Sequence, residues 1–130
     1  MEDKMIQNAV YDAVNGIWYK SAHVHDYVSI PVGNGWTFID GGTEYRRTSM
    51  NFSKLEGFEE WSLYESSPYD QVKKRLLWGT YGISGKDPLR WVPLCHCSND
   101  HLNAILNTQS HISPLYRTII NEILRDRIYG

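Results

Sequence analysis

Residues 23–48, HVHDYVSIPVGNGWTFIDGGTEYRRT, hold most of the side chains in this chain that are able to do chemistry. His23, His25 and Asp26 precede a glycine-rich turn, Asp40 runs into Gly41-Gly42, and Tyr45 is followed by Arg46 and Arg47. A guanidinium fork matches a phosphate through two parallel hydrogen bonds, so both arginines are candidate anion ligands. Tyr27 and Tyr45 offer flat faces to a nucleobase, a contact worth ~1–3 kcal/mol per base in single-strand binders. Further on, WGTYGISGKDPL, residues 78–89, adds Trp78, Tyr81 and Lys86 among three glycines. Glycine lets a backbone approach a ligand closely. The spacing, and the residue after the lysine, exclude a Walker phosphate loop. The bland alternatives are a tight glycine turn for residues 78–89 and, for Arg46-Arg47, surface charges with one bridged to an acid.

Catalysis is less well supported than binding. His25-Asp26 are a general base and a carboxylate, with Asp40 as a further acid. On a strand, however, successive side chains point to opposite faces, which puts His23 and His25 together and Asp26 apart. No Gly-x-Ser-x-Gly or His-Glu-x-x-His is present. Metal-ligating residue types occur at His23, His25, Cys95, His96, Cys97, Asp100 and His101, and Cys97 and His101 stand at an acceptable zinc spacing. But there is no Cys-x-x-Cys, and Cys95 and Cys97 read as small apolar fillers near a helix start. The expectation is a binding protein that is not an enzyme, with no metal and no cofactor.

These side chains need elements to position them. A chain of 130 residues fits one domain, 1–130, able to bury a core without staples. The first part, 1–50, reads as β-rich. Residues 17–20, 26–30, 36–40 and 44–48 are aromatic or β-branched, and Asn15-Gly16, Pro31, Gly33-Asn34-Gly35 and Gly41-Gly42 supply turns between them. Residues 51–68 are acidic and read as a loop. The part 69–130 reads as helical: 69–78 with Val72, Leu76 and Leu77 on one side, then a helix capped by Ser98 or Asn99, then one opened by Ser113-Pro114. The last carries Leu115, Ile119, Ile120, Ile123, Leu124 and Ile128 at helical spacing. The fold class is therefore α+β: a small antiparallel sheet followed by about three helices.

A formal net charge of -2 and a pI of about 6.2 argue against bulk attraction to DNA or RNA. Aromatics make up 13 % of the chain, enough to serve both a core and a subunit interface. The two cysteines exclude a disulfide framework and fit a reducing compartment. No apolar run approaches the ~20 residues of a membrane span, and no signal peptide is evident, so a soluble, intracellular protein is expected.

The ordered set His23-x-His25-Asp26-Tyr27-Val28, Ile39-Asp40-Gly41-Gly42-x-x-Tyr45-x-Arg47, Trp78-Gly79-Thr80-Tyr81-Gly82-x-x-Gly85-x-x-Pro88-Leu89, Asp100-His101-Leu102-x-Ala104-Ile105-Leu106 and Ile123-Leu124-x-x-Arg127 resembles a widespread family of small proteins of tailed bacteriophages. The likeness covers roughly residues 12 to 128. Many members of that family carry a Cys-x-x-Cys and a Cys-x-Cys in the manner of a zinc ribbon. Here the matching positions are Asp12 and Asn15, then Ile30 and Val32, which cannot replace four thiolates around zinc. The resemblance thus implies a degenerate zinc-ribbon-like sheet and a site in the cytoplasm of an infected bacterium.

Phage proteins of this size and type further resemble the sponges that inhibit CBASS, an immunity signalling through cyclic dinucleotides. A sponge holds the messenger without cleaving it. That likeness implies phosphates on Arg46 and Arg47 with Lys86 in reserve, bases stacked on Tyr27, Tyr45, Trp78 or Tyr81, and Asp40 on a guanine edge. It also implies His23 and His25 on phosphate or ribose, and a homo-oligomer enclosing the ligand. The alternatives are a nucleic-acid or host-protein binding module, a phosphodiesterase using His23, His25 and Asp40, and a structural phage component.

Overall fold

The computed structural model describes residues 2–82 and 84–129; Ile83, inside the glycine-rich segment, lies outside them. Strands β1 (Met5–Asp12), β2 (Ile17–Ser21), β3 (Val28–Val32), β4 (Gly35–Asp40), β5 (Arg47–Thr48), β6 (Phe58–Glu60) and β7 (Leu63–Tyr64) precede helix α1 (Tyr69–Arg75). The hairpin β8 (Leu77–Thr80) and β9 (Arg90–Pro93) follows, then α2 (Asn99–Thr108) and α3 (Pro114–Tyr129). The class is α+β, with antiparallel sheets and three helices, as the sequence implies.

Two regions depart from the sequence reading. Residues 51–68 are not a plain loop, because β6 and β7 both pair with β1 and continue the sheet past a register shift. The helix expected over 69–78 stops at Arg75, and Leu77 and Trp78 open a strand. Adjacent leucines suit a helix face, but here Leu77 enters a sheet whose β1 neighbour supplies a side-chain partner for its N–H. The part 69–130 is therefore helical with a β-hairpin set into it.

The larger sheet has the order β6-β1-β2-β9-β8, with β7 also on β1; the smaller is β3-β4-β5. β1 is the central element and is buried on both faces from Gln7 to Val10. One face carries Gln7, Ala9 and Tyr11 towards the helices. There, Leu63, Val72, Leu76, Leu94, Leu102 and Ile119 lie in one apolar cluster, and Ala9, Trp61 and Leu77 in a second edged by Tyr11, Trp18 and Trp91. The opposite face packs Val10 on Ile30, Ile39 and Phe52 of the small sheet and its following turn.

Two consecutive buried amides on β1 stitch these layers. Gln7 Nε2 donates to the carbonyls of Trp61 (3.0 Å) and Arg75 (2.8 Å), and its Oε1 accepts from Leu77 N–H at 2.8 Å. Asn8, on the other face, donates from Nδ2 to the Asp40 carbonyl at 3.0 Å. Helix α2 starts on Ser98, whose Oγ accepts from His101 N–H at 3.1 Å.

The turns after β1 and within the β3–β4 hairpin are held without metal ligands at positions 12, 15, 30 and 32. Asp12 accepts the N–H groups of Val14 and Asn15 and the Asn15 side-chain amide, while Ile30 is fully buried. Gly16 and Gly42 both adopt positive φ, but a Cβ on Gly16 meets open space, whereas one on Gly42 would lie 2.4 Å from the His23 carbonyl carbon.

Gly16→Ala should cost only the left-handed penalty, about 1–2 kcal/mol. Gly42→Ala should cost clearly more, read as a larger fall in urea midpoint; equal losses would refute the close packing of the 41–42 turn on His23. Gln7→Leu keeps the volume but strands three backbone groups and should lower stability by at least about 2 kcal/mol. A loss below about 1 kcal/mol in the same titration would contradict the stitching role.

Candidate functional site

The opening motif is a structural knot. His23–Asp26 is a turn rather than a strand: Asp26 N–H donates to the His23 carbonyl at 2.9 Å, so the strand argument for His23 and His25 sharing a face does not hold. Ser21, fully buried at the end of β2, donates to the Asp26 carbonyl (2.7 Å) and accepts from Gly42 N–H (2.9 Å). Asp26 Oδ2 accepts from Ala22 N–H at 2.7 Å. Asp40 is buried; its Oδ1 accepts from Gly41 N–H and its Oδ2 pairs with Arg47. Its carboxylate is committed to the turn and to β5.

The arginines are engaged as well. Arg46 forms a two-pronged bridge to Glu60, at 2.8 and 2.9 Å, and donates to Ser62 Oγ at 2.6 Å with only 16 % of its side chain exposed. Arg47 is more exposed and lies over Phe38, on which Tyr27 is stacked at 4.9 Å. Tyr45 lines a depression with Glu2, Asp3 and Glu44, where an anion is repelled. His25 is exposed in its turn, and Lys86 is exposed in the loop between β8 and β9.

Three of the ten residues singled out from the sequence, His23, Trp78 and Tyr81, do come together. They line a cleft of about 690 Å³ with Lys20, Asp26, Leu89, Trp91, His111 and Tyr116 among its other walls. β2, β8 and β9 supply one side, and the α2–α3 connection and the start of α3 the other. Gly79 is needed here for space: a Cβ would meet the Trp91 ring at 3.0 Å and Leu89 at 2.9 Å. The glycine that the sequence offers as a ligand approach is thus a seat for an aromatic wall.

Lys20 is the residue that sequence reasoning missed. Its Nζ donates to Tyr116 Oη at 3.2 Å and stands 4.8 Å from the centre of the Trp91 ring. Tyr116 in turn donates to the Leu77 carbonyl at 2.7 Å, so its hydroxyl proton is used and its lone pair receives the ammonium. Trp78 meets Tyr116 edge-on at 6.0 Å. Among the described residues no carboxylate lies within ion-pairing distance of Lys20. Desolvation pushes its pKa down from 10.5 to about 8, and burial pushes that of the Tyr116 hydroxyl up. A partly desolvated ammonium without an ion-paired anion is held here by the Tyr116 hydroxyl and by the faces of two rings. The available signal was the strand alternation that puts Lys20 on the same face as Trp18.

Cys97 is buried in the helical core and Cys95 half-buried, and burial raises both thiols, away from the thiolate that zinc requires. Among the described residues no group of three or more His, Cys, Asp or Glu is placed to hold a metal, and no helix is long and apolar enough to cross a membrane. Comparison of the chain with protein-family models, curated proteins and solved structures gave no match.

The lowered Lys20 pKa has a definite sign. Burying the ammonium costs stability in full below pH 8, and the cost is relieved as pH rises towards 10.5, because the unfolded chain then holds the extra proton. Relative to Lys20→Met, the wild type should therefore gain melting temperature between about pH 8 and pH 10.5. A difference between the two proteins that is independent of pH would show that Lys20 is not desolvated.

Proposed function

We propose that this chain binds a nucleotide-class anion in the Lys20 cleft and holds it intact, and that in an infected bacterial cell it sequesters a cyclic dinucleotide immune signal. The observation that carries the reading is the Lys20 ammonium, set among aromatic rings and without an ion-paired carboxylate among the described residues. An ammonium takes a phosphate as a point charge, and Trp78 and Tyr81 stand on the same cleft as surfaces for a base, at ~1–3 kcal/mol per base. His23 and His111 stand on the same cleft as donors to phosphate or ribose. Asp26 keeps one oxygen beyond its bond to Ala22 for the N–H edge of a base.

Holding is favoured over cleavage by the state of the titratable groups. Among the described residues no histidine side chain is hydrogen-bonded to a carboxylate, and Asp40, the acid of the phosphodiesterase alternative, is sealed under Arg47. In this reading Arg46, Arg47 and Asp40 shape the protein, and the phosphate-binding role passes to Lys20. A homo-oligomer remains part of the proposal. Its contact face would be the outside of the small sheet, where Trp36 is 71 % and Tyr27 56 % exposed.

The test is capture and release with a panel of cyclic di- and trinucleotides, recovering the ligand after heat denaturation. Intact ligand in stoichiometric yield is expected, and Lys20→Met should weaken binding by at least about tenfold, or ~1.4 kcal/mol. Degraded ligand would replace holding by hydrolysis, and silence across the panel would overturn the nucleotide reading.

A further inference from the structure

β2 and β9 are joined by one register pair only, Trp18 with Trp91, whereas β8 and β9 pair over four positions. Beyond that single bridge the two strands share no further register pair, and Lys20 Nζ lies over the Trp91 ring. A second recess, of about 400 Å³, opens along the same seam and is lined by Ile17, Tyr19, Val28 and Arg90. Lys20, Asp26, Leu89 and Trp91 line both recesses, so the two adjoin along these side chains.

The second recess has its own cation. Arg90 is exposed, and among the described residues it has no carboxylate partner. Apart from Lys20 and Asp26, its other walls are apolar or aromatic. The one carboxylate shared by both recesses, Asp26, already accepts a backbone N–H. The seam therefore presents a cation at the junction, a second cation at one end, and an aromatic or apolar wall on either side of the first.

We infer that the ligand is two-lobed, with one nucleoside in each recess, one phosphate on Lys20 and the other on Arg90, all within a single protomer. This rests on the nucleotide reading of the Lys20 cleft and sharpens it. The ligand class is a dinucleotide, and the second base is housed by the same chain and not by a partner subunit. A mononucleotide occupies one recess and gains nothing from Arg90.

Calorimetric titration of the full chain with guanosine and adenosine monophosphates, a linear dinucleotide and a cyclic dinucleotide tests this. A dinucleotide should bind one per chain and at least about tenfold tighter than either mononucleotide. Arg90→Ala should erase most of that advantage while leaving mononucleotide affinity unchanged. Lys20→Met should weaken both classes. Equal affinity for mono- and dinucleotides would overturn the two-lobed ligand while leaving the Lys20 reading intact. So would one dinucleotide per two chains, or an Arg90→Ala loss common to both classes. Absence of binding by every probe would remove both.

Discussion

Two buried amides on neighbouring residues of β1 hold this molecule in register. Because adjacent strand residues face opposite ways, Gln7 reaches the helical layer and Asn8 reaches the small sheet. The Gln7 carboxamide bonds three backbone groups from separate stretches of chain: a carbonyl between β6 and β7, the last carbonyl of α1, and the first N–H of β8. A buried amide is costly unless its partners are in place, and Gln7 meets them at both ends, whereas Asn8 Oδ1 has none among the described residues. The start of β8 is therefore fixed to within a hydrogen bond, and with it Leu77 and Trp78. Tyr116 bonds the carbonyl of that same Leu77, and Lys20 bonds Tyr116. A chain of polar contacts thus runs from the centre of the sheet to the cleft.

The same chemistry explains what was legible in the sequence. The last two helices announce themselves through caps and apolar spacing, and β2 to β4 through β-branched runs punctuated by glycine turns. β1 does not, because Gln7 and Asn8 interrupt its apolar pattern; polar residues with dedicated buried partners look like a surface. β6 and β7 are short, and what makes them strands is the edge of β1 rather than their own composition. Helix α1 yields to β8 because the Gln7 side chain supplies a bond that a helix at Leu77 would not make.

The site was legible only in part. Trp78, Tyr81 and His23 point to the cleft by type, but Arg46, Arg47 and Asp40 are drawn away by partners far along the chain or hidden by a turn. Glu60 and Ser62 together take the Arg46 guanidinium, and nothing in residues 23–48 foretells that. Lys20 escapes notice for the converse reason. A lone lysine in a strand reads as a solvated charge, and only the convergence of Trp91 and Tyr116 in the fold desolvates it. The histidine-aspartate and aspartate-glycine-glycine segments, so suggestive of chemistry, are tied to one another through Ser21 and leave no room for a side chain at Gly42.

The lone Trp18–Trp91 bridge makes the larger sheet a structure with an unfinished ladder. From β6 to β2, and within the β8–β9 hairpin, strands pair over several positions; between β2 and β9 the single bridge is joined by Lys20, which lies over the Trp91 ring. On the proposed reading, a molecule seated there bridges the hairpin and β2. Its binding energy then adds to the cohesion between the hairpin and the sheet, as any ligand selective for the folded state adds to stability. On that reading, recognition and the joining of the hairpin to the sheet are one event.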